Sequence, residues 1–337
     1  MVDRSSLDTN LDLTLRLQNE AFDIRTVLIG GHENDFLEDG DDETRINSLY
    51  LDLNAKRAKI FTRIGRQSKS SGGVLGRFDG GLVGVHLTPQ IALNLIGGFP
   101  VASSSQEVET DKYFYGVNLD LGTFADHWNF NSYFIQQEAD GLIDRQAVGG
   151  EIRFTEKNGS FFTLVDYDLH HNELNTALFS GNLILADRTI LNLSADYRNS
   201  PVLTTSNALI GQTVQTLDDL LVLFDESEIE QLAKDRTAIS KTATFSITRP
   251  VTDKVQLAAD VTWSKLEETE ASGGVEAFEG TADEFYYALQ LIGSSLVKEG
   301  DLTSIGIRYA DTTRYDSYSG NLNTRFPLND QWRVNPK

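Results

Sequence analysis

Period-two alternation of apolar and polar residues, repeated from one end of the chain to the other, constrains this sequence more than any other feature. Leu11, Leu13, Leu15 and Leu17 alternate with Asp12, Thr14, Arg16 and Gln18; Ile60, Thr62 and Ile64 alternate with Phe61 and Arg63. Tyr113, Tyr115, Val117, Leu119 and Leu121 alternate with Phe114, Gly116, Asn118 and Asp120, and the pattern returns at residues 189–197, 255–263, 285–291, 303–309 and 318–326. A period of two places one kind of residue on each face of a β-strand, so these are strands with one oily and one wet face. About 17 or 18 such segments of roughly 10 residues succeed one another, the length a tilted strand needs to cross a bilayer.

The connections carry a second regularity. Short links, such as Asn19-Glu20, residues 54–56, 88–90, 156–159, Ala186-Asp187 and 250–254, alternate with longer ones at 30–43, 68–81, 100–112, 138–144, 171–175, 198–237, 266–284 and 312–316. Tight turns at one end and extended loops at the other are the signature of a transmembrane meander. Large rings bracket the short turns in pairs, Phe124 with Trp128, Phe154 with Phe161 and Phe326 with Trp332, while Phe99, Tyr113, Tyr197, Trp263, Phe285 and Tyr309 stand beside the long loops. Two aromatic belts flanking an apolar band are expected from that spacing. A soluble sheet would alternate too, with its apolar face inward, but so many consecutive amphipathic strands without paired helices suit a closed barrel with a water-filled lumen. The sequence therefore predicts an all-β chain, an antiparallel up-and-down transmembrane β-barrel of about 16–18 strands, forming one domain over 1–337.

Composition removes other classes. With 29 basic against 50 acidic residues the net charge is −21, which repels a phosphate backbone, so no nucleic-acid partner is expected. The absence of cysteine excludes disulfides, a thiolate nucleophile and a Cys-built zinc site, and no cofactor motif is present. The longest apolar run, around Leu220–Phe224, falls far short of the roughly 20 residues of a membrane helix. No secretory signal is visible behind Met1.

Residues 60–80, "IFTRIGRQSKSSGGVLGRFDG", resemble porins, in which a strand ending in Gly-Arg-Gln runs into a Gly-rich loop that folds inward and narrows the channel. Together with "VDYDLHHNELNTALFSGN", "LNLSADYRNSPVLTTSNALIGQ" and "PLNDQWRVNP", this stretch looks like the barrel portion of proteobacterial outer-membrane proteins that carry tetratricopeptide repeats ahead of the barrel. The resemblance covers nearly the whole chain and implies the outer membrane of a Gram-negative bacterium. It implies passive passage of small hydrophilic solutes, contact with lipid and lipopolysaccharide, and porin-like homo-oligomers. Two departures, a final Asn335-Pro336-Lys337 in place of a terminal aromatic and a first strand that runs downward from the outside, lead us to expect truncation at both ends.

If the apolar faces meet lipid, the pore-lining residues are Arg16, Arg25, Lys59, Arg63, Arg153, Arg188, Asp196, Asp260, Arg308 and Arg325, with Arg77 and Asp79 opposite them on the inward loop. Fixed opposite charges across a narrow pore orient polar solutes; the same groups equally suit plain pairing between neighbouring strands. Carboxylates crowd two long loops, Glu33 to Glu43 and Glu267 to Glu284, as a solvated rim or as ligands for divalent cations that bridge lipopolysaccharide phosphates. One loop, about residues 206–236, is helical: Leu217, Leu220, Leu221 and Phe224 share a face, and Ser227 with Glu230 has capping-box spacing, giving a pair of helices that pack on the rim or hang over the pore.

Two other functions compete with passive passage. One is an export barrel for a polysaccharide or protein, docked through a periplasmic repeat domain or partner. The other is a barrel hydrolase, since Asp166, Asp168 and His170 alternate onto one face while His171 points away. No serine motif accompanies them, so no catalytic residue and no metal ligand is assigned.

Overall fold

The computed structural model describes residues 5–37, 40–329 and 331–336. The period-two segments are strands: β1 (Ser6–Gln18), β2 (Phe22–Asp35), β3 (Glu43–Ala55), β4 (Ile60–Lys69), β5 (Gly76–Thr88) and β6 (Ile91–Pro100). β7 (Lys112–Phe124), β8 (Trp128–Ala139), β9 (Leu142–Glu156), β10 (Gly159–Asp168), β11 (Glu173–Ile184) and β12 (Ile190–Ser200) continue the series. A 3-10 turn (Thr205–Leu209), α1 (Leu217–Leu221) and α2 (Glu226–Asp235) then interrupt it. β13 (Ala238–Pro250), β14 (Val255–Leu266), β15 (Glu284–Ser294), β16 (Leu302–Asp311), β17 (Asp316–Pro327) and the short β18 (Arg333–Val334) complete the chain.

Every strand pairs antiparallel with the next in sequence, from Leu13 opposite Leu28 in the first hairpin to Phe326 opposite Val334 in the last. The architecture is the expected up-and-down barrel wall, with 18 strands among the described residues. No helix among the described residues is long and apolar enough to cross a membrane.

The two faces separate as the alternation requires. Leu11, Leu13, Leu15, Ile64, Leu95, Leu193, Leu289, Ile305 and Ile307 are all exposed, and they form an outward apolar band. At the short-turn end of that band, rings touch from strand to strand: Trp128 meets Phe130, Phe154 and Phe161, and Phe161 stacks on Phe179 at 6.1 Å between centroids. Nearer the long-loop end Phe285, Tyr287, Tyr309 and Tyr318 form a stacked row. Part of each belt expected from the sequence is therefore a row of touching rings, over β8 to β11 at one end and β15 to β17 at the other. Rings prefer this depth because one edge stays apolar while the other is wet.

The alternation of link lengths is not strict: the links at 169–172 and 312–315, read as long, have four residues each, fewer than the seven of the 295–301 link read as short. The link between β8 and β9, read as a long loop from Glu138 to Asp144, is only Asp140-Gly141, both in the left-handed region at φ 50° and 79°. Asp-Gly is the residue pair that a two-residue hairpin of this twist favours. The helical loop between β12 and β13 covers that turn: the Leu217 amide donates to Asp140 Oδ2 at 2.8 Å, and Ala139 is fully buried. In that loop Thr216 caps α1 and Asp225, not Ser227, caps α2. Asp225 accepts from the Glu228 amide at 2.9 Å while the Glu228 side chain accepts from the Asp225 amide. The reciprocal box lies two residues earlier than the sequence pattern suggested. A hydrogen bond from the Ser227 hydroxyl and one from the Glu228 amide hold the Asp225 carboxyl below the usual carboxylate range.

Candidate functional site

The link between β4 and β5 contains Gly72 and Gly73 with φ of 63° and 81°, which lets the chain turn back over the inner face of the wall. The Gly72 amide donates to Glu151 Oε1 at 3.1 Å, and the Gly73 carbonyl accepts from Arg145 Nη1 at 2.8 Å. A side chain has no room here: a Cβ on Gly72 would lie 2.6 Å from Asn118 Nδ2, and one on Gly73 2.6 Å from the Tyr133 ring. Val74 drops into an apolar cluster with Phe78, Ile96, Phe114, Ile135 and Ala147. The porin-like stretch thus turns inward over the wall, as the resemblance implied for its path. Its Gly-rich loop folds inward, and β7, β8 and β9 hold it against the wall.

Behind the loop lies a buried charge pair. Arg145 Nη2 donates to Asp166 Oδ2 at 2.6 Å, with side-chain exposures of 3% and 6%, and the Tyr133 hydroxyl donates to the same oxygen at 2.6 Å. Arg145 therefore ties the loop backbone to a carboxylate on β10. Sequence reasoning singled out neither Arg145 nor Glu151 nor Tyr133 for this role. A signal existed for Glu151, which shares strand parity with Arg153, two residues on.

Beside the loop the lumen holds a cavity of ≈ 640 Å³ lined by Arg16, Arg25, Asp52, Arg63, Lys69 and His86 among others. Arg16 donates to both oxygens of Asp23, at 2.9 and 2.6 Å, and Arg63 to both oxygens of Asp52, at 2.5 and 3.0 Å. The Arg63 guanidinium also lies 4.2 Å from the Tyr50 ring centroid, and Arg25 reaches the Tyr50 hydroxyl at 3.4 Å. Further round the wall Arg153 pairs with Glu151 at 2.8 Å and stands over Phe162, while Asp196 pairs with Arg198. Asp260 and Arg308 both stand opposite Ala288, one from each side, so they share an inward row without touching. Arg325 is on the same face of β17 as Asn323.

Four expected lining residues are placed elsewhere. Lys59 and Arg188 have φ of 57° and 65° and occupy the tips of short turns, where Arg188 pairs with Asp253 of the adjacent turn. Alternation was extrapolated one residue past the strand in each case. Arg77 and Asp79 lie on β5 itself, and Asp79 pairs at 2.8 and 2.7 Å with Arg66 on the face opposite Phe78. The link of residues 101–111 folds over that pair, Arg66 donating to the Ser104 and Gln106 carbonyls. Two members of the acidic loop, Glu38 and Asp39, lie outside the described residues.

The hydrolase arrangement is not assembled as read. β10 ends at Asp168, so His170 leaves its face and approaches Glu230 at 3.4 Å, while His171 turns inward. The His171 amide donates to Asp168 at 2.8 Å, its Nδ1 lies 3.3 Å from the same oxygen, and its Nε2 lies 3.5 Å from Thr205 Oγ1. Hydroxyl, imidazole and carboxylate stand in order, but Thr205 is 2% exposed and donates its hydroxyl to the Ile143 carbonyl at 2.7 Å. The trio seats the helical loop on β9 and β10. Ser206 and Lys234 add bonds to Asp144 and to the His171 carbonyl, so this loop packs on the rim.

No family model matches the chain, and no curated protein matches it. Among solved structures it is similar to the outer membrane protein opdK from Pseudomonas aeruginosa, at 10% identity over 96% of this chain and 93% of that one, with a TM-score of 0.47. Pseudomonas aeruginosa OpdQ gives 10% identity, 94% and 88% coverage and a TM-score of 0.46. Acinetobacter baumannii OccAB4 gives 8%, 94%, 88% and 0.40.

Proposed function

We propose that this chain is a passive channel for small hydrophilic solutes in the outer membrane of a Gram-negative bacterium. One observation carries the reading: exposed apolar residues form a band between two aromatic belts on one face, while the other face bears paired charges around an open cavity and is crossed by the Gly72–Gly73 loop. A sheet in water would bury the first face and expose the second. In hydrocarbon the arrangement costs nothing, because lipid solvates the Leu and Tyr faces and the lumen keeps the Arg and Asp side chains hydrated. Passage then needs no chemical step. Solutes cross by diffusion, with Arg16, Arg25, Arg63 and Arg153 lining their route and the inward loop setting the width.

The test is conductance of purified protein in a planar bilayer. Stepwise, ohmic current is the expected result. Folded protein that inserts into the bilayer and passes no ions would overturn the reading.

A further inference from the structure

We infer that the solutes this channel favours are neutral and polyhydroxylated, with the chemistry of sugars, and that anions are disfavoured. The inference rests on the channel reading above and names its substrate class.

Guanidinium groups attract anions only when their donors are unspent. Arg16, Arg63, Arg153 and Arg198 are each bonded to a carboxylate of their own. Such a pair presents a short dipole whose field fades faster with distance than that of a single charge. An anion offers acceptors alone, and the carboxylate beside each of these four arginines cancels most of that arginine's pull. Arg25, Arg308 and Arg325, bonded to no carboxylate among the described residues, are matched in number on the same face by Asp12, Asp120 and Asp260. A hydroxyl both donates and accepts, so it can bond the free edge of an ion pair from either side.

The remaining wall, β11 to β17, adds hydroxyls and amides to Asp196, Arg198, Asp260, Arg308 and Arg325. Thr244 and Thr262 face each other at 2.9 Å, Asn192 donates to Ser246 at 3.1 Å, and Ser160 on β10 donates to Asn182 at 2.7 Å. Thr244 and Ser246 lie on the face of β13 opposite the exposed Phe245, which assigns them to the lumen. Each hydroxyl keeps bonding capacity after its mutual bond, and each is half-buried rather than sealed.

The charge that is not compensated sits at the long-loop end. Residues 267–283 between β14 and β15 include Glu268, Glu270, Glu276 and Glu279 and no basic residue. Asp41 and Asp42 add to the same sign between β2 and β3. A negative mouth over a nearly neutral lumen lowers the local concentration of anions, raises that of cations and leaves neutral solutes unaffected.

Single-channel recording tests this with potassium chloride, sucrose and gluconate as probes. In a potassium chloride gradient near 0.1 M the reversal potential should show a modest cation preference. That preference should fade near 1 M, where the Debye length drops from about 10 Å to about 3 Å. Sucrose should reduce the current reversibly at concentrations where gluconate does not. The double variant Thr244→Val with Thr262→Val keeps shape and should weaken the sucrose effect about fivefold, the equivalent of one net hydrogen bond, without moving the reversal potential. Anion preference, or gluconate block stronger than sucrose block, would overturn the substrate class while leaving the channel reading intact. An unchanged sucrose effect in the double variant would remove the hydroxyl wall from the argument and overturn it too. Absence of any conductance would instead count against the channel reading itself.

Discussion

The wall from β5 to β10 and the wall from β13 to β17 have the same pleat and the same alternation, yet only the first has a packed inner face. Phe78, Ile96, Phe114, Tyr133, Ile135 and Ala147 are buried there, whereas along β14 and β17 no residue is buried. The difference lies in what covers them. The β4–β5 link folds onto β7, β8 and β9, and the helical loop settles on the turn of β8 and β9, while among the described residues no buried apolar cluster lies over the hydroxyl-bearing strands. In a barrel the strands do not create a core by themselves. A core forms where a loop returns to the wall, and there packing rules resemble those of a soluble protein.

The largest effect should follow from breaking the clamp. Arg145→Met leaves Asp166 buried without its cation, which costs about 3–5 kcal/mol and should lower the urea midpoint of refolded protein accordingly. Adding Asp166→Leu to it should recover much of the loss, since an apolar pair of similar volume often replaces a buried ion pair without penalty. No recovery would mean that Tyr133 and Gly73, not the charge pair, hold the site. Leu220→Ala removes a fully buried side chain from the helical loop and should cost about 2–5 kcal/mol locally. Hydrogen exchange should then rise across residues 217–235 with the strands unaffected. Gly73→Val meets the Tyr133 ring and should cost about 1–3 kcal/mol, with a rise in conductance as the loop lifts off the wall. The matching change in the bare half, Thr262→Val, should stay within about 0.5 kcal/mol. A cost there equal to that of Gly73→Val would erase the contrast between the two walls.

How much of this was legible in the sequence follows the same division. The strands, the belts and the outward band all follow from local rules, because period two and ring placement report on one strand at a time, whereas the inward fold of the Gly-rich loop rested on the resemblance of residues 60–80 to porins. The clamp was not legible. Arg145, Glu151 and Tyr133 meet Gly72 and Gly73 from at least 60 residues away in sequence, and alternation says which face a residue occupies but not which loop will land on it. Lys59 and Arg188 failed for a different reason: alternation continues on paper after the backbone has entered a turn. Asp79 failed because its partner Arg66 shares a face that the 101–111 link covers, and a charged pair there looks like a lumen pair until the parity of Phe78 and Gln67 is known.

The smallest effect sharpens the comparison within the covered half, by asking whether the helical loop can loosen while the clamp stays shut. Asp225 is held in its charged form by the Ser227 hydroxyl and the Glu228 amide, so its carboxyl titrates lower in the folded loop than in an unfolded one. A group of that sign stabilises α2 fully above the ordinary carboxylate range, and the contribution is lost as pH falls through its lowered value. Hydrogen exchange in residues 226–235, corrected for its intrinsic pH dependence, should therefore show protection that declines on acidification, while the amides of β8 and β9 keep theirs. Asp225→Asn retains a capping side chain but carries no charge, and should remove the acid dependence while leaving the helix in place. If acidification instead freed the loop and the Gly72–Gly73 clamp together, in the native chain and in Asp225→Asn alike, the two coverings would be one cooperative unit anchored through Asp144 and Arg145.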